Sequence, residues 1–313
     1  MSLPELTTEI EQLSLVIEIG GMGVRVNTSD ARFVRMLEDR YAGFVGSGDE
    51  EPEIEFDVEL AAPRDADPDA DVSVRCEGQR WILQRGDFRA EWEPGARRGW
   101  IRQRANPYSI DAVLRIVHTL VLARQGGFLL HAASAIRNGK AFLFAGVSEA
   151  GKTTISRLAP RDVTLLTDEI SYVRRHRSAV LKASPSAESV GNPRSRKSGE
   201  TLRQAQGRPW GIPPLSSSYV AYGTPFTGEL AKVGENVSAP VETLYLLAKG
   251  KENRIERVEP GEAARGVLAN LLFFAHDEEL VQAVFHSVFE FVNRVPVKRL
   301  TFVPDQRVWE LIG

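Results

Sequence analysis

The stretch Ala141-Phe142-Leu143-Phe144-Ala145-Gly146-Val147-Ser148-Glu149-Ala150-Gly151-Lys152-Thr153-Thr154 decides the fold. Its first five residues form an apolar run of strand length. The next eight, Gly146, Val147, Ser148, Glu149, Ala150, Gly151, Lys152 and Thr153, satisfy the phosphate-loop pattern G-x-x-x-x-G-K-[ST]. Thr154 and the residues to Leu158 can continue as a helix. Such a strand–loop–helix aims backbone N–H groups and a helix N-terminus at a polyphosphate. Lys152 then reaches the outer phosphates, and the Thr153 hydroxyl ligates Mg²⁺.

A second apolar strand, 163–167, ends in Thr167-Asp168-Glu169, so only one short helix and one strand separate Lys152 from two carboxylates. In an open α/β sheet, nucleotides bind at the carboxyl ends of the strands. One carboxylate there can hold Mg²⁺ and the other can take a proton from a substrate hydroxyl. A motor-type NTPase has its acidic pair much further along the chain. His131 closes the apolar run Phe128-Leu129-Leu130. Taken alone, it reads more readily as a core histidine than as a catalytic one.

The run Leu130-His131-Ala132-Ala133, then Gly139, then Gly151-Lys152-Thr153-Thr154, then Asp168-Glu169, resembles the HPr kinase/phosphorylase superfamily. It is closer still to the HPr-kinase-like proteins associated with modified-peptide biosynthesis. The resemblance implies a P-loop kinase core related to phosphoenolpyruvate carboxykinase, preceded by a separate N-terminal domain. It implies that His131 and Lys152 neutralise the transferring phosphoryl group, that Thr153 binds Mg²⁺, and that Glu169 stands in the proton-acceptor position, which makes Glu169 the expected base and Asp168 the expected metal ligand. It also implies a homo-oligomer. The longer signature that bifunctional members use for phosphorolysis is absent, so phosphorylase activity is not expected. Glu149 stands where the family loop has glycine, and Glu169 where it has aspartate.

Outward from the loop, the fold class reads as α/β with a β-rich α+β N-terminal domain over 1–105 and a kinase-like domain over 106–313. A hairpin turns at Gly20-Gly21. Thr28-Ser29-Asp30 caps a helix carrying Phe33, Val34, Leu37 and Tyr41, and Ile54, Phe56, Val58 and Leu60 alternate as a half-buried strand. Residues 72–103 read as a β meander with no recognisable chemistry. Asn106-Pro107 marks a boundary, after which Ile110, Val113, Leu114, Val117, Leu120 and Val121 form one face of a helix. Strands at 127–135 and 140–145 flank a turn at Arg137-Asn138-Gly139. Residues 184–214, rich in serine, proline, glycine and arginine, read as a flexible insertion. Beyond it come strands at 241–248 and 254–258, helices at 262–274 and 278–292, a strand at 297–302 and a short closing helix. The patch Gly223-Thr224-Pro225-Phe226-Thr227-Gly228-Glu229-Leu230 reads first as a turn, and second as a source of a metal ligand, Glu229.

Composition bounds the rest. The 313 residues are 42% hydrophobic and 26% charged, with a net charge of −3. That is globular and lacks a global basic field for nucleic acid. The single Cys76 precludes a disulfide framework. No signal-like start and no membrane-length apolar run occurs, so a cytoplasmic protein is expected. The expected function is an ATP- and Mg²⁺-dependent kinase acting on a serine or other hydroxyl of a protein, peptide or small molecule. The alternative is a non-catalytic nucleotide-binding partner or an NTPase assembly factor.

Overall fold

The computed structural model describes residues 12–48, 51–61, 70–176 and 219–313. The expected insertion at 184–214 lies outside the described residues.

The chain begins with the hairpin β1 (Leu13–Ile19) and β2 (Met22–Thr28), turning through Gly20 and Gly21, both at positive φ. Asp30 caps α1 (Ala31–Arg40) by accepting from the N–H groups of Arg32 and Phe33, the standard way to satisfy orphan donors at a helix start. β3 (Ile54–Leu60) follows, then the meander β4 (Ser73–Glu77), β5 (Arg80–Arg85), β6 (Phe88–Glu93) and β7 (Arg98–Gln103). These seven strands form one sheet in the order β1-β2-β3-β7-β6-β5-β4, with β3 parallel to both β2 and β7. At Gly99 a Cβ would lie 2.3 Å from the Glu91 carbonyl and 2.5 Å from the Phe56 ring, so only glycine fits there.

Asn106 caps α2 (Pro107–Gln125), with proline in the first turn and Gly126 at φ 78° ending it. The expected domain boundary falls on this cap. The hydrophobic core nevertheless crosses it. One continuous cluster runs from Ile17, Phe33 and Phe56 through Val113, Val117 and Leu120 to Leu129, Tyr172 and Phe226. The expected single apolar face of α2 is a correction: Ile116, His118 and Leu122 are buried as well, because the helix is packed on both sides.

The second sheet contains β8 (Phe128–Arg137), β9 (Lys140–Ala145), β10 (Thr164–Thr167), β11 (Ile170–Arg175), β12 (Tyr219–Tyr222), β13 (Ser238–Lys249), β14 (Arg254–Arg257), β15 (Leu271–Leu272) and β16 (Val297–Phe302). The β8–β9 turn uses Asn138 and Gly139 at φ 51° and 73°, the left-handed pair that a two-residue hairpin demands. β13 runs parallel to β9 and β16, while β8, β10, β11 and β12 pair antiparallel. The sheet is therefore mixed. Its path closes on itself, β8-β11-β12-β13-β9 and back to β8, as a small barrel.

Helices α4 (Pro260–Leu268) and α5 (Glu278–Arg294) cover the face containing Phe128, Leu143, Tyr219 and Leu244. The short α3 (Lys152–Arg157) and a closing 3-10 turn, Gln306–Leu311, cover the face with Phe144, Tyr245 and Phe302. Two expectations change here. The helix expected to reach residue 274 ends at Leu268, because the Asn270 side chain caps it on the Gly266 carbonyl and Leu271-Leu272 pair with β8. The closing helix is 3-10. Among the described residues no helix is long and apolar enough to cross a membrane.

Candidate functional site

The phosphate-loop pattern sits between β9 and α3, as its sequence requires. Gly146 leaves β9 with its N–H donating to Asn270 Oδ1 at 3.2 Å. The same asparagine's carbonyl accepts from His131 N at 2.7 Å, so one residue ties the loop, β8 and the end of α4 together. Two glycines are steric necessities. A Cβ on Gly146 would meet the Ala150 Cβ at 2.6 Å, and one on Gly151, at φ 112°, would meet Phe302 at 2.6 Å. Ala150 turns the loop back through its N–H to the Val147 carbonyl, 3.1 Å. The first N–H groups of α3 then have no preceding helical carbonyl to bind.

A cleft of about 430 Å³ opens beside this loop. Of the residues singled out from sequence, His131, Ser148, Glu149, Gly151, Lys152, Thr153, Thr154, Asp168, Glu169 and Glu229 line it. Gly146 and Ala150 form the loop's inner turn behind the cleft, and Val147 points outward, 75% exposed.

Lys152 is only 8% exposed and folds back on its own loop, its Nζ donating to the carbonyls of Gly146 at 2.9 Å and Val147 at 3.4 Å. Burial holds its ammonium below the ordinary lysine range, against the pull of Glu169 and Glu229. His131, on β8 beside Ile170, is held below the ordinary histidine range by burial and by the charge of Lys152. It is therefore neutral at neutral pH. The Glu169 carboxyl is pushed up, chiefly by burial. Arg115 opposes that shift, Asp168 adds to it, and Lys152 and Arg40 oppose it.

Asp168 and Glu169 sit where β10 passes into β11, both strands pairing along β8. The strand end expected to carry the two acids is a break in one run that pairs antiparallel with β8. The two acids are engaged differently. Asp168, 3% exposed, accepts from Gly228 N at 3.0 Å with Oδ1 and from Leu230 N at 2.8 Å with Oδ2. It holds the 223–230 segment against the sheet. Between those two N–H groups stands Glu229, whose Oε2 accepts from Thr153 Oγ1 at 3.3 Å. The turn expected at 223–230 is real, and it delivers the second acid to the phosphate loop.

Glu149 has φ 62°, in the region glycine occupies without strain. Its side chain is exposed, so its carboxylate can swing to solvent.

Sequence reasoning missed Gly228 and Lys249, which also line the cleft. A Cβ on Gly228 would lie 3.0–3.1 Å from Glu169 and Asp168. Lys249 ends β13 beside β9, and an eye on the strand parallel to the loop's own would have found it. Asn270, Arg40 and Arg115 act on the site through tertiary contacts that leave no local signature.

Neither the protein-family models nor the curated proteins include a match to this chain. The resemblance to the HPr kinase/phosphorylase superfamily therefore rests on its motif residues and belongs to the proposal below.

Proposed function

We propose that the chain is an ATP- and Mg²⁺-dependent P-loop kinase of the HPr-kinase-like type, transferring a phosphoryl group to a hydroxyl of a protein, peptide or small molecule. One observation carries this: Lys152, Thr153, Glu169 and Glu229, from three separate stretches, line one cleft. Phosphoryl transfer needs positioning, positive charge on the outer phosphates, a metal and a proton acceptor, and this set supplies each in kind.

The donor chemistry fits Mg²⁺. Thr153 and Glu229 offer hard oxygen ligands 3.3 Å apart, with Glu169 lining the same cleft. Among the described residues no group of three His, Cys, Asp or Glu side chains converges as a metal cage. That suits a cation which keeps several waters and binds through one or two protein oxygens plus substrate phosphates. When bound, Mg²⁺ neutralises phosphate charge. Lys152, released from its loop carbonyls, places its ammonium on the outer phosphates, and neutral His131 orients an oxygen by a hydrogen bond. Glu169 accepts the acceptor hydroxyl's proton at a carboxylate oxygen. Its raised pKa brings it closer to the operating pH, where a general base works best. Asp168, expected from sequence as a metal ligand, is assigned here to holding the segment that carries Glu229. The cytoplasmic setting and the homo-oligomer are parts of the same proposal.

A second reading, a nucleotide-binding partner without transfer, is favoured by Glu149 at the loop mouth and by Lys152 bonded to its own loop. The variant Glu169→Gln separates the two. It should leave nucleotide affinity near wild type and slow transfer, or intrinsic ATP hydrolysis, by about 10²–10⁴-fold. Turnover unchanged by the substitution overturns the assignment of the base.

A further inference from the structure

The first sheet and its helix line no part of the cleft, yet one of their arginines reaches the segment that carries Glu229. Arg40, at the end of α1, donates from Nε and Nη2 to Asp111 Oδ2 at 3.2 and 2.5 Å, and from Nη1 to the Pro225 carbonyl at 2.9 Å. Asp111 is itself held on its other oxygen by the Tyr41 hydroxyl. The Arg40 side chain is 15% exposed and that of Asp111 6%, so the fork is set in a largely dry site.

Pro225 lies in a stretch held at several points. The Phe226 ring lies under the Arg115 guanidinium at 4.8 Å, and the Phe226 carbonyl accepts from Thr167 Oγ1 at 3.3 Å. Gly228 and Leu230 donate to Asp168, and Glu229 between them meets Thr153. Of these grips, only that of Arg40 comes from the first sheet's side of the molecule. A clamp meant only to dock α1 on α2 would be complete with Asp111. The third contact, to Pro225, extends the clamp to the cleft.

We propose that Arg40 is a positioning residue: it fixes the 225–230 segment so that Glu229 stands opposite Thr153, which makes the first sheet's helix a working part of the site. The metal–nucleotide consequence rests on the function proposed above, whereas the positioning itself does not. Arginine is needed because its planar fork binds the carboxylate and the carbonyl at once. Lysine keeps the charge beside Asp111 and cannot span both.

The test uses the full chain with Arg40→Lys and Arg40→Met, the lysine variant guarding against failure to fold. Amide hydrogen exchange at Gly228 and Leu230 should accelerate about tenfold or more on loss of a charge-assisted hydrogen bond, with Ile155 in α3 unchanged. The gain in ADP affinity on adding Mg²⁺ should shrink in parallel, less in Arg40→Lys than in Arg40→Met, while affinity measured in EDTA stays at the wild-type value. Unchanged exchange at Gly228 and Leu230 in both variants, or acceleration spread evenly over the chain, overturns the role of Arg40 whatever the cleft binds. Wild-type protein that binds no nucleotide refutes the reading of the cleft and leaves the exchange result to decide Arg40.

Discussion

The two walls of the cleft are built in opposite ways. The 146–153 wall is contiguous: strand, loop and helix follow one another, and its glycines, lysine and threonine act where the sequence puts them. The 223–230 wall is assembled from afar, held by Asp168, Thr167, Arg40 and Arg115. The local wall depends on few distant groups, chiefly the Asn270 tie to Gly146. An assembled wall depends on every group that grips it, and can fail without the loop being touched.

The sharpest way to break that contrast is Asp168→Ala. It leaves the half-buried N–H groups of Gly228 and Leu230 without their acceptor, and an unsatisfied donor costs up to about 1–3 kcal/mol. Urea unfolding should show a loss of roughly 2–5 kcal/mol, with ADP affinity in EDTA little changed because the 146–153 wall is intact. A loss below about 0.5 kcal/mol, under the range for even one orphaned donor, would mean that the assembled wall does not rely on Asp168.

A smaller effect concerns Glu169 and pH. Burial raises its folded pKa above its usual 4.5, so folding favours the protonated form. That stabilisation is complete below the unfolded value and is lost as pH rises through the raised folded value. Glu169→Gln cannot ionise, so it should be more stable than wild type at pH 7–8 and lose that advantage as pH falls through the window. The half-exposed carboxyl is screened by water, which keeps the gain to about 1 kcal/mol or less. Denaturant midpoints of the two proteins at pH 8 and pH 4 check the direction, and a gap that widens toward acid contradicts it.

The smallest effect is on the local wall itself. Glu149→Gly relieves a left-handed φ and adds chain entropy to the unfolded state, two terms of about 1 kcal/mol that nearly cancel. Stability should hardly move, while removing a carboxylate from the cleft tightens nucleotide binding a few-fold. Weaker binding in this variant would show that Glu149 contributes a contact of its own.

What the sequence revealed follows the same division. The strand, the phosphate loop, the Asp30 cap, the boundary at Asn106-Pro107 and the turn at Arg137-Asn138-Gly139 are short-range features whose residues carry their own geometry. Less was legible where long-range packing decided. The acidic pair was visible, but its backbone partners 60 and 62 positions away were not. With those partners hidden, Asp168 read as a metal ligand and Glu229 as a minor candidate. Leu271-Leu272 continued a helical apolar pattern, and only the open edge of β8 turns them into a strand. The first sheet looked chemically silent because the reach of Arg40 to Pro225 spans 185 positions.

The central claim, that the cleft binds a metal–nucleotide through the 146–153 wall, is tested most directly by calorimetric titration of ADP into wild type and Lys152→Ala, with Mg²⁺ and with EDTA. Lys152 lines the cleft and its Nζ bonds only carbonyls of its own loop, so the variant should keep its thermal midpoint within a few degrees. The account predicts wild-type binding that strengthens with Mg²⁺ and weakens about 10–100-fold on loss of the ammonium, the worth of a charged hydrogen bond. Equal affinity in the two proteins, or no binding in either, would contradict it.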